Sequence, residues 1–253
     1  MQAIILAEGI GTRLIPLTLT TPKPLIVVGD FPILEHQIRF LSSYNITDIY
    51  ISIYHLKDEI KNYFENGTKW GVNIQYYEPE QLMGTAGAVK KLENKITGDF
   101  LVLYCDYLHN INLNNMITYH NKATEGTVAT IMVKKYYVPL ECDHLHINKE
   151  NYIQNVINRP LPVGKIIKNR SNIGIYLCKK EICNYIQDKA QSFEKDVFPN
   201  VLKNKKKLYS YYTDEYIIDM GSHERLLKVQ SDFRSGKHRL RDSDKSIPEY
   251  VIT

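Results

Sequence analysis

The sequence predicts an α/β fold: a mostly parallel sheet flanked by helices, with a smaller antiparallel portion. Three observations predict it. Apolar runs of strand length alternate with amphipathic helical patterns through the first half of the chain. A Gly-rich loop follows the first strand directly, and the middle of the chain carries short strands with few helices between them. Strand–helix alternation implies parallel strands covered on both faces. Ligands of such sheets bind beyond the C-terminal ends of the strands.

Residues 3–6 read as a buried strand. Ile33, His36, Gln37, Phe40 and Leu41 recur at helical spacing. A strand is expected at 49–53, then a helix marked by Ile60, Tyr63 and Phe64. A strand at 72–76, a helix at 86–92 and a short apolar strand at 100–104 continue the alternation. A helix at 116–120 and a β-branched strand at 127–133 complete it. The strands at 144–147, 152–157 and 173–178 suit antiparallel pairing. A helical pattern returns with Ile182, Tyr185 and Ile186. Strands are then expected at 208–212 and 216–218. Ser222 is the expected N-cap of a last helix whose apolar positions are Leu226, Leu227 and Val229. The reading is one domain over 1–233, with a polar 234–253 as a poorly ordered tail or linker. No internal repeat is visible.

Composition narrows the function. Hydrophobic residues make up 43% of the 253, enough for a substantial core, and the formal charge is +4. That charge suits a protein handling phosphates and is too small to indicate nucleic acid. The densest basic run, Lys203 with Lys205, Lys206 and Lys207, reads as a solvated turn. Cys105, Cys142, Cys178 and Cys183 form no CxxC pair and no zinc-ligand spacing, so they read as reduced thiols used as small hydrophobes. No segment has the apolar length of a membrane span, and the N-terminal apolar run is too short for a signal sequence. A cytoplasmic location and no membrane partner are the expectation.

The loop Leu6-Ala7-Glu8-Gly9-Ile10-Gly11-Thr12-Arg13-Leu14 carries the chemistry. Glycines let backbone N–H groups approach phosphate oxygens with no Cβ in the way. Arg13 adds a planar, permanently charged fork. In Thr21-Pro22-Lys23-Pro24-Leu25, two prolines stiffen the backbone that aims the ammonium. Neither the P-loop nor the dinucleotide-binding glycine spacing is present, which argues against a nicotinamide-dependent dehydrogenase.

The span 6–25 resembles the signature of the sugar-1-phosphate nucleotidyltransferases (nucleotide-sugar pyrophosphorylases), and the resemblance continues to about Leu227. It implies a Rossmann-like, GT-A-like fold whose antiparallel portion lies on the sugar side. It also implies Mg²⁺-dependent transfer of a nucleoside monophosphate from a triphosphate to a sugar 1-phosphate, releasing pyrophosphate. Residue by residue, the resemblance implies a nucleotide-binding loop of Leu6, Ala7, Gly9, Gly11 and Thr12. Arg13 would stabilise the departing pyrophosphate, and Lys23 would hold phosphates near the reacting centre. Gln81, Gly84 and Thr85 resemble a second nucleotide-contacting turn, with the acidic stretch from Glu78 at the edge of the base pocket. Asp106 and Asp219 resemble the two magnesium ligands. Asn158, Arg159, Asn172 and Gly174 resemble sugar-phosphate contacts, Arg159 standing where a Lys is usual. Residues 193–199 resemble a further motif near the acceptor site.

The chemistry explains why cations and glycines recur and why no base is needed. Two reactants carrying on the order of six negative charges must meet, and the attacking phosphate oxygen is already anionic. Positioning and cationic stabilisation carry such a transfer. Two separated carboxylates suit a magnesium shared with phosphate oxygens. The chain departs from the pattern at several positions. Glu8 replaces a Gly or Ala beside the triphosphate, Asn158 replaces a Glu, Asn110 and Asn112 replace acidic residues, and Tyr104-Cys105 replaces Asn-Gly. The compact length and motif wording are most similar to mannose- or heptose-1-phosphate guanylyltransferases, which implies GTP as donor. Cytidylyl-, thymidylyl- or uridylyltransferases acting on another phosphorylated acceptor are alternatives, as is a non-catalytic nucleotide-sugar-binding regulatory homologue. Homo-oligomerisation is left open.

Overall fold

A computed structural model of the chain describes residues 1–135, 142–159 and 170–237. In chain order the elements are β1 (Gln2–Ala7), β2 (Val27–Val28), β3 (Phe31–Pro32), α1 (Ile33–Ser43), β4 (Asp48–Ile53), α2 (Lys57–Phe64), β5 (Asn73–Tyr77), α3 (Gly84–Lys91), β6 (Phe100–Tyr104) and β7 (Tyr107–His109). They continue with α4 (Leu113–His120), β8 (Thr127–Lys135), β9 (His144–Ile147), β10 (Ile153–Ile157), β11 (Arg170–Cys178), α5 (Phe198–Lys203), β12 (Lys207–Tyr212), β13 (Ile217–Asp219) and α6 (His223–Arg234). The fold is α/β, as the alternation predicts.

The chain forms two compact units. Unit A comprises residues 1–4, 81–103 and 112–214. Its strands run in the order β10-β9-β11-β6, and β8 pairs with both β11 and β12. The pairs β10/β9, β11/β9, β11/β6 and β11/β8 are antiparallel, where short strands without helices predicted antiparallel pairing; β12/β8 is parallel. β8 is buried from Thr127 to Val133. Burial on both faces is what a continuous apolar, β-branched strand requires. Tyr176, Phe193 and Phe198 meet edge-on or tilted at 5.3–5.5 Å, and all three are fully buried. The tyrosine hydroxyl donates to Glu194 Oε1 at 2.9 Å, so its polar end is satisfied within this core.

Unit B comprises residues 5–80, 104–111 and those from 215 onward. β1, β4 and β5 lie side by side, with β4 and β5 parallel and in register from Asp48↔Asn73 to Ser52↔Tyr77. β2 and β3 form a small antiparallel ribbon, and β7 pairs antiparallel with β13. α1 buries Ile33, Leu34, Gln37, Ile38 and Leu41, the face its spacing predicts, while His36 is only part-buried. Removing about five such side chains from water contributes on the order of 10 kcal/mol before chain entropy is counted.

Three local expectations differ. The segment after Lys179 is a 3₁₀ helix (Lys180–Tyr185), tighter than the α-helix its spacing suggests. In α6, Leu226 and Val229 are buried but Leu227 is 67% exposed, because it points away from the stripe the other two define. The segment Phe193–Val197 is a π-turn that leads into α5, which apolar periodicity does not reveal. The Lys run lies between the end of α5 and the start of β12, as expected. α6 ends at Arg234, and residues 238–253 of the expected tail lie outside the described residues.

Candidate active site

In unit B the Gly-rich loop leaves β1 and tightens into a 3₁₀ turn at Thr12–Leu14. Gly11 caps this turn in the left-handed region at φ 73°. A Cβ there would lie 2.8 Å from Thr18 Cγ2, and the Thr18 hydroxyl donates to the Gly11 carbonyl at 2.9 Å. Gly11 is therefore required by the chain's own packing. Gly9 is not: a Cβ on it would meet nothing within 4 Å. Glu8 is buried and accepts a hydrogen bond from the Ser52 hydroxyl on β4. Its carboxylate is thus engaged with the sheet, the arrangement that makes an acid at this position tolerable.

Lys23 opens a 3₁₀ turn behind Pro22, whose extended conformation (φ −63°, ψ 143°) holds the approach. The lysine is buried, and its Nζ donates to Asp106 Oδ2. Asp106 follows β6 by two residues, and its backbone carbonyl accepts from Met220 N at 2.9 Å. The next residue, Tyr107, is in register with Asp219 across the β7/β13 ladder. Backbone pairing thus brings together two carboxylates far apart in sequence. Asn110 secures that ladder by exchanging hydrogen bonds with Tyr216: its Oδ1 accepts from Tyr216 N at 3.0 Å, and its N–H donates to Tyr216 O at 3.1 Å. The side chain at this position thus serves the ladder through an oxygen that an Asp would also supply. Asn112 is an N-cap, accepting from Asn115 N at 3.1 Å at the start of α4.

Asp219 is buried, and its Oδ1 accepts from Gly221 N at 2.8 Å and lies 2.9 Å from Arg225 Nε. A Cβ on Gly221 would lie 2.6 Å from Asp219 Oδ1, 2.8 Å from Arg13 Nη2 and 2.9 Å from Arg225 Nη2. One carboxylate and two guanidinium groups therefore converge on the space that a side chain at Gly221 would enter. Arg225 escaped the sequence reading; its position three residues after the N-cap Ser222 was the available signal. Burial and the adjacent Asp106 charge push the Cys105 thiol up to about 12, so it remains protonated beside this cluster.

The fit to magnesium can be tested on the donors. Asp106 and Asp219 supply hard carboxylate oxygens, and no group of three or more His, Cys, Asp or Glu side chains gathers among the described residues. Such a set suits Mg²⁺, which takes few protein ligands and shares the rest with water and phosphate. Each carboxylate also has a cationic partner, Lys23 for Asp106 and Arg225 for Asp219.

Unit A holds the other candidates. Gly84 opens α3 at φ 69°, and a Cβ on it would meet Gln191 O at 2.6 Å. The Thr85 hydroxyl accepts from Phe193 N at 3.0 Å. The turn's composition is thus partly explained by close packing of 189–193. Gln81 is exposed. Gly174 lies at φ 66° within a register shift of β11, and its N–H donates to Asn172 Oδ1 at 3.2 Å. The Asn172 amide also donates to Tyr176 Oη at 2.7 Å and to Glu194 Oε1 at 3.1 Å. It therefore shapes the bulge from within. Asp143, unremarked in the sequence, ties Arg159 to Asn172. Its carboxylate accepts from Arg159 N at 3.0 Å and its carbonyl accepts from Asn172 N at 2.9 Å. The Arg159 side chain is 46% exposed and 3.9 Å from Asp143. Buried Asn158 Oδ1 has no hydrogen-bond partner among the described residues.

In unit B, Glu78 is held by Lys57 and Lys61, each at 3.1 Å, and these ammonium groups keep its carboxyl below the usual range. A cavity of about 340 Å³ in the same unit is lined by Thr21, Pro22, Asp30, Glu59 and Tyr63 among others, and by none of the predicted site residues.

A family model described as nucleotidyl transferase matches residues 2–236. The chain belongs to the nucleotidyl transferase family. Among its relatives, mannose-1-phosphate guanyltransferases of Candida albicans and Saccharomyces cerevisiae are each 31% identical over 245 residues, 93% of this chain. The chain spans 63% of the length of these curated relatives. A Bacillus anthracis protein provisionally described as a glucose-1-phosphate thymidylyltransferase, solved with sucrose, shares the fold with a TM-score of 0.80 at 22% identity, covering 91% of this chain and 94% of that one. HddC from Yersinia pseudotuberculosis, solved with GMP-PN, superimposes with a TM-score of 0.75 at 22% identity, covering 92% and 99%. This nucleotidyl transferase thus has the α/β fold of its structural neighbours, with its charged loop residues gathered in unit B.

Proposed function

We propose that the protein transfers a nucleoside monophosphate from a nucleoside triphosphate to a sugar 1-phosphate, with release of pyrophosphate. GTP and mannose 1-phosphate are the favoured pair. The observation that carries this reading is the gathering of Lys23–Asp106 and Arg13–Asp219–Arg225 at the β7/β13 ladder in unit B. The names of the relatives at 31% identity support the choice of guanine and mannose.

In this reading the loop at Gly9 and Gly11 admits the triphosphate to backbone N–H groups. Lys23 and Arg13 offset the charge of the approaching phosphates, Arg13 on the pyrophosphate side. Asp106 and Asp219 would hold Mg²⁺, which when bound polarises phosphate oxygens and neutralises their charge. In unit A, Gln81, Gly84 and Thr85 are assigned to the nucleotide, and Asn158, Arg159 and the Gly174 bulge to the sugar phosphate. Arg159 presents its exposed guanidinium, and Asn172 acts by holding the bulge. The transfer needs no side-chain base, since the attacking phosphate oxygen is ionised at neutral pH. Engagement of Glu8 with Ser52 removes the main motive for a non-catalytic regulatory reading. A reducing, cytoplasmic setting belongs to the same proposal, supported by four buried free thiols. No helix among the described residues is long and apolar enough to cross a membrane.

A competition assay tests the specificity. Offered GTP, ATP, UTP, CTP and dTTP together with mannose 1-phosphate and magnesium, the protein should make the guanosine-diphosphate sugar. A different nucleotide sugar would retain the reaction and overturn the choice of base.

A further inference from the structure

Arg225 belongs to the charged cluster but is assigned no step in the chemistry above, and it forms an ion pair with Asp219. Its side chain is 13% exposed and that of Asp219 is 11% exposed. Buried carboxylate oxygens need hydrogen-bond or ionic partners. Oδ1 receives Gly221 N–H at 2.8 Å and has Arg225 Nε at 2.9 Å. The Gly221 N–H and the Arg225 guanidinium, four residues apart on the turn into α6, meet the same oxygen, so the carboxylate is held by a hydrogen bond and an ion pair together. Arg225 is itself anchored, since it lies in the first turn of α6, where its N–H donates to the N-cap Ser222 Oγ. Gly221 leaves room for the arrangement: a Cβ there would come within 3 Å of Asp219, Arg13 and Arg225 together.

We infer that Arg225 is a positioning residue for the metal centre: it fixes the Asp219 carboxylate in the orientation that binds the divalent cation with nucleotide. The inference rests on the proposed function. Groups that orient metal ligands typically change metal affinity 10–100-fold when altered. Lysine cannot reproduce the role, because a single ammonium lacks the planar fork that reaches Oδ1 through Nε while its terminal nitrogens lie at Gly221.

The test is the affinity of Mn²⁺ for the protein saturated with GTP, followed by electron paramagnetic resonance. Measurements cover wild type, Arg225→Lys, Asp219→Ala and the double variant. Arg225→Lys keeps the charge and guards against unfolding, which circular dichroism checks. We expect it to weaken Mn²⁺ binding at least ~10-fold while metal-free GTP binding stays within about twofold of wild type. In the Asp219→Ala background the same change should have no further effect, because its route runs through that carboxylate. Unchanged Mn²⁺ affinity in Arg225→Lys would overturn the inference, as would an equal loss of metal-free GTP binding, which would make Arg225 a phosphate contact. Wild-type protein with no Mn²⁺ binding in the presence of GTP would overturn the proposed function and this inference with it.

Discussion

Lys23 and Asp106 form a pair in which each residue is predicted to serve a different partner, one the phosphates and the other the metal. Holding them together pairs the two charges in a mostly buried setting, where either charge alone would be costly. Asp106→Ala removes a preorganised electrostatic element, so kcat should fall at least ~100-fold; steady-state kinetics with saturating substrates checks this. Glu8 makes the opposite prediction. Its carboxylate serves Ser52, so Glu8→Ala should leave turnover nearly unchanged but cost roughly 1–3 kcal/mol by leaving a buried hydroxyl unpaired. Urea denaturation measures that cost. The residue scale is where the sequence was most legible for the phosphate loop, because Gly, Lys and Arg at fixed spacing have few other uses. It was least legible for Arg225, Asp143 and Glu194. A lone Arg or acid in a helix or strand pattern looks like surface until its partner is located.

At the scale of elements, the strands and long helices were readable from periodicity, since burial of one face or both imposes the pattern. The 3₁₀ turns at 12–25 and the π-turn at 193–197 were not, because hydrogen bonds and prolines shape them and apolar spacing does not. The β7/β13 ladder was half visible: β13 was expected, but β7 has only three residues and follows directly on Asp106. That ladder also holds a titratable group. His109 on β7 is half-buried with both ring nitrogens out of solvent, packs edge-on against Phe40 at 4.5 Å, and has no hydrogen-bond partner on either ring nitrogen among the described residues. Burial, reinforced by nearby His36, lowers its pKa to about 4. Above about pH 6.5 the ring is neutral in both folded and unfolded chains. As pH falls below that value the unfolded chain takes up a proton that the native ring refuses, so stability declines until about pH 4. The whole effect is on the order of 3 kcal/mol. His109→Leu should flatten the difference in unfolding free energy between pH 7 and pH 5; an unaltered slope would place the dependence elsewhere. In α3, Gly84→Ala forces a Cβ to within 2.6 Å of Gln191 O at a positive φ. A loss of at least ~1 kcal/mol is expected from the backbone conformation alone, read as a lower thermal midpoint.

For the molecule as a whole, the α/β class and the antiparallel middle followed from the order of patterns. Division into two compact units did not, because each unit is assembled from three separate stretches of chain that no linker composition marks. The residues proposed to handle the triphosphate lie in unit B and the sugar-phosphate candidates in unit A, a division invisible along the sequence. The most direct test is magnesium-dependent pyrophosphate release from GTP, ATP, UTP, CTP and dTTP, each paired with mannose, glucose and heptose 1-phosphates. Release that needs both substrates and magnesium, strongest with GTP and mannose 1-phosphate and abolished in Asp106→Ala, is the predicted result. Folded protein that releases pyrophosphate from no triphosphate with any of these acceptors would contradict it.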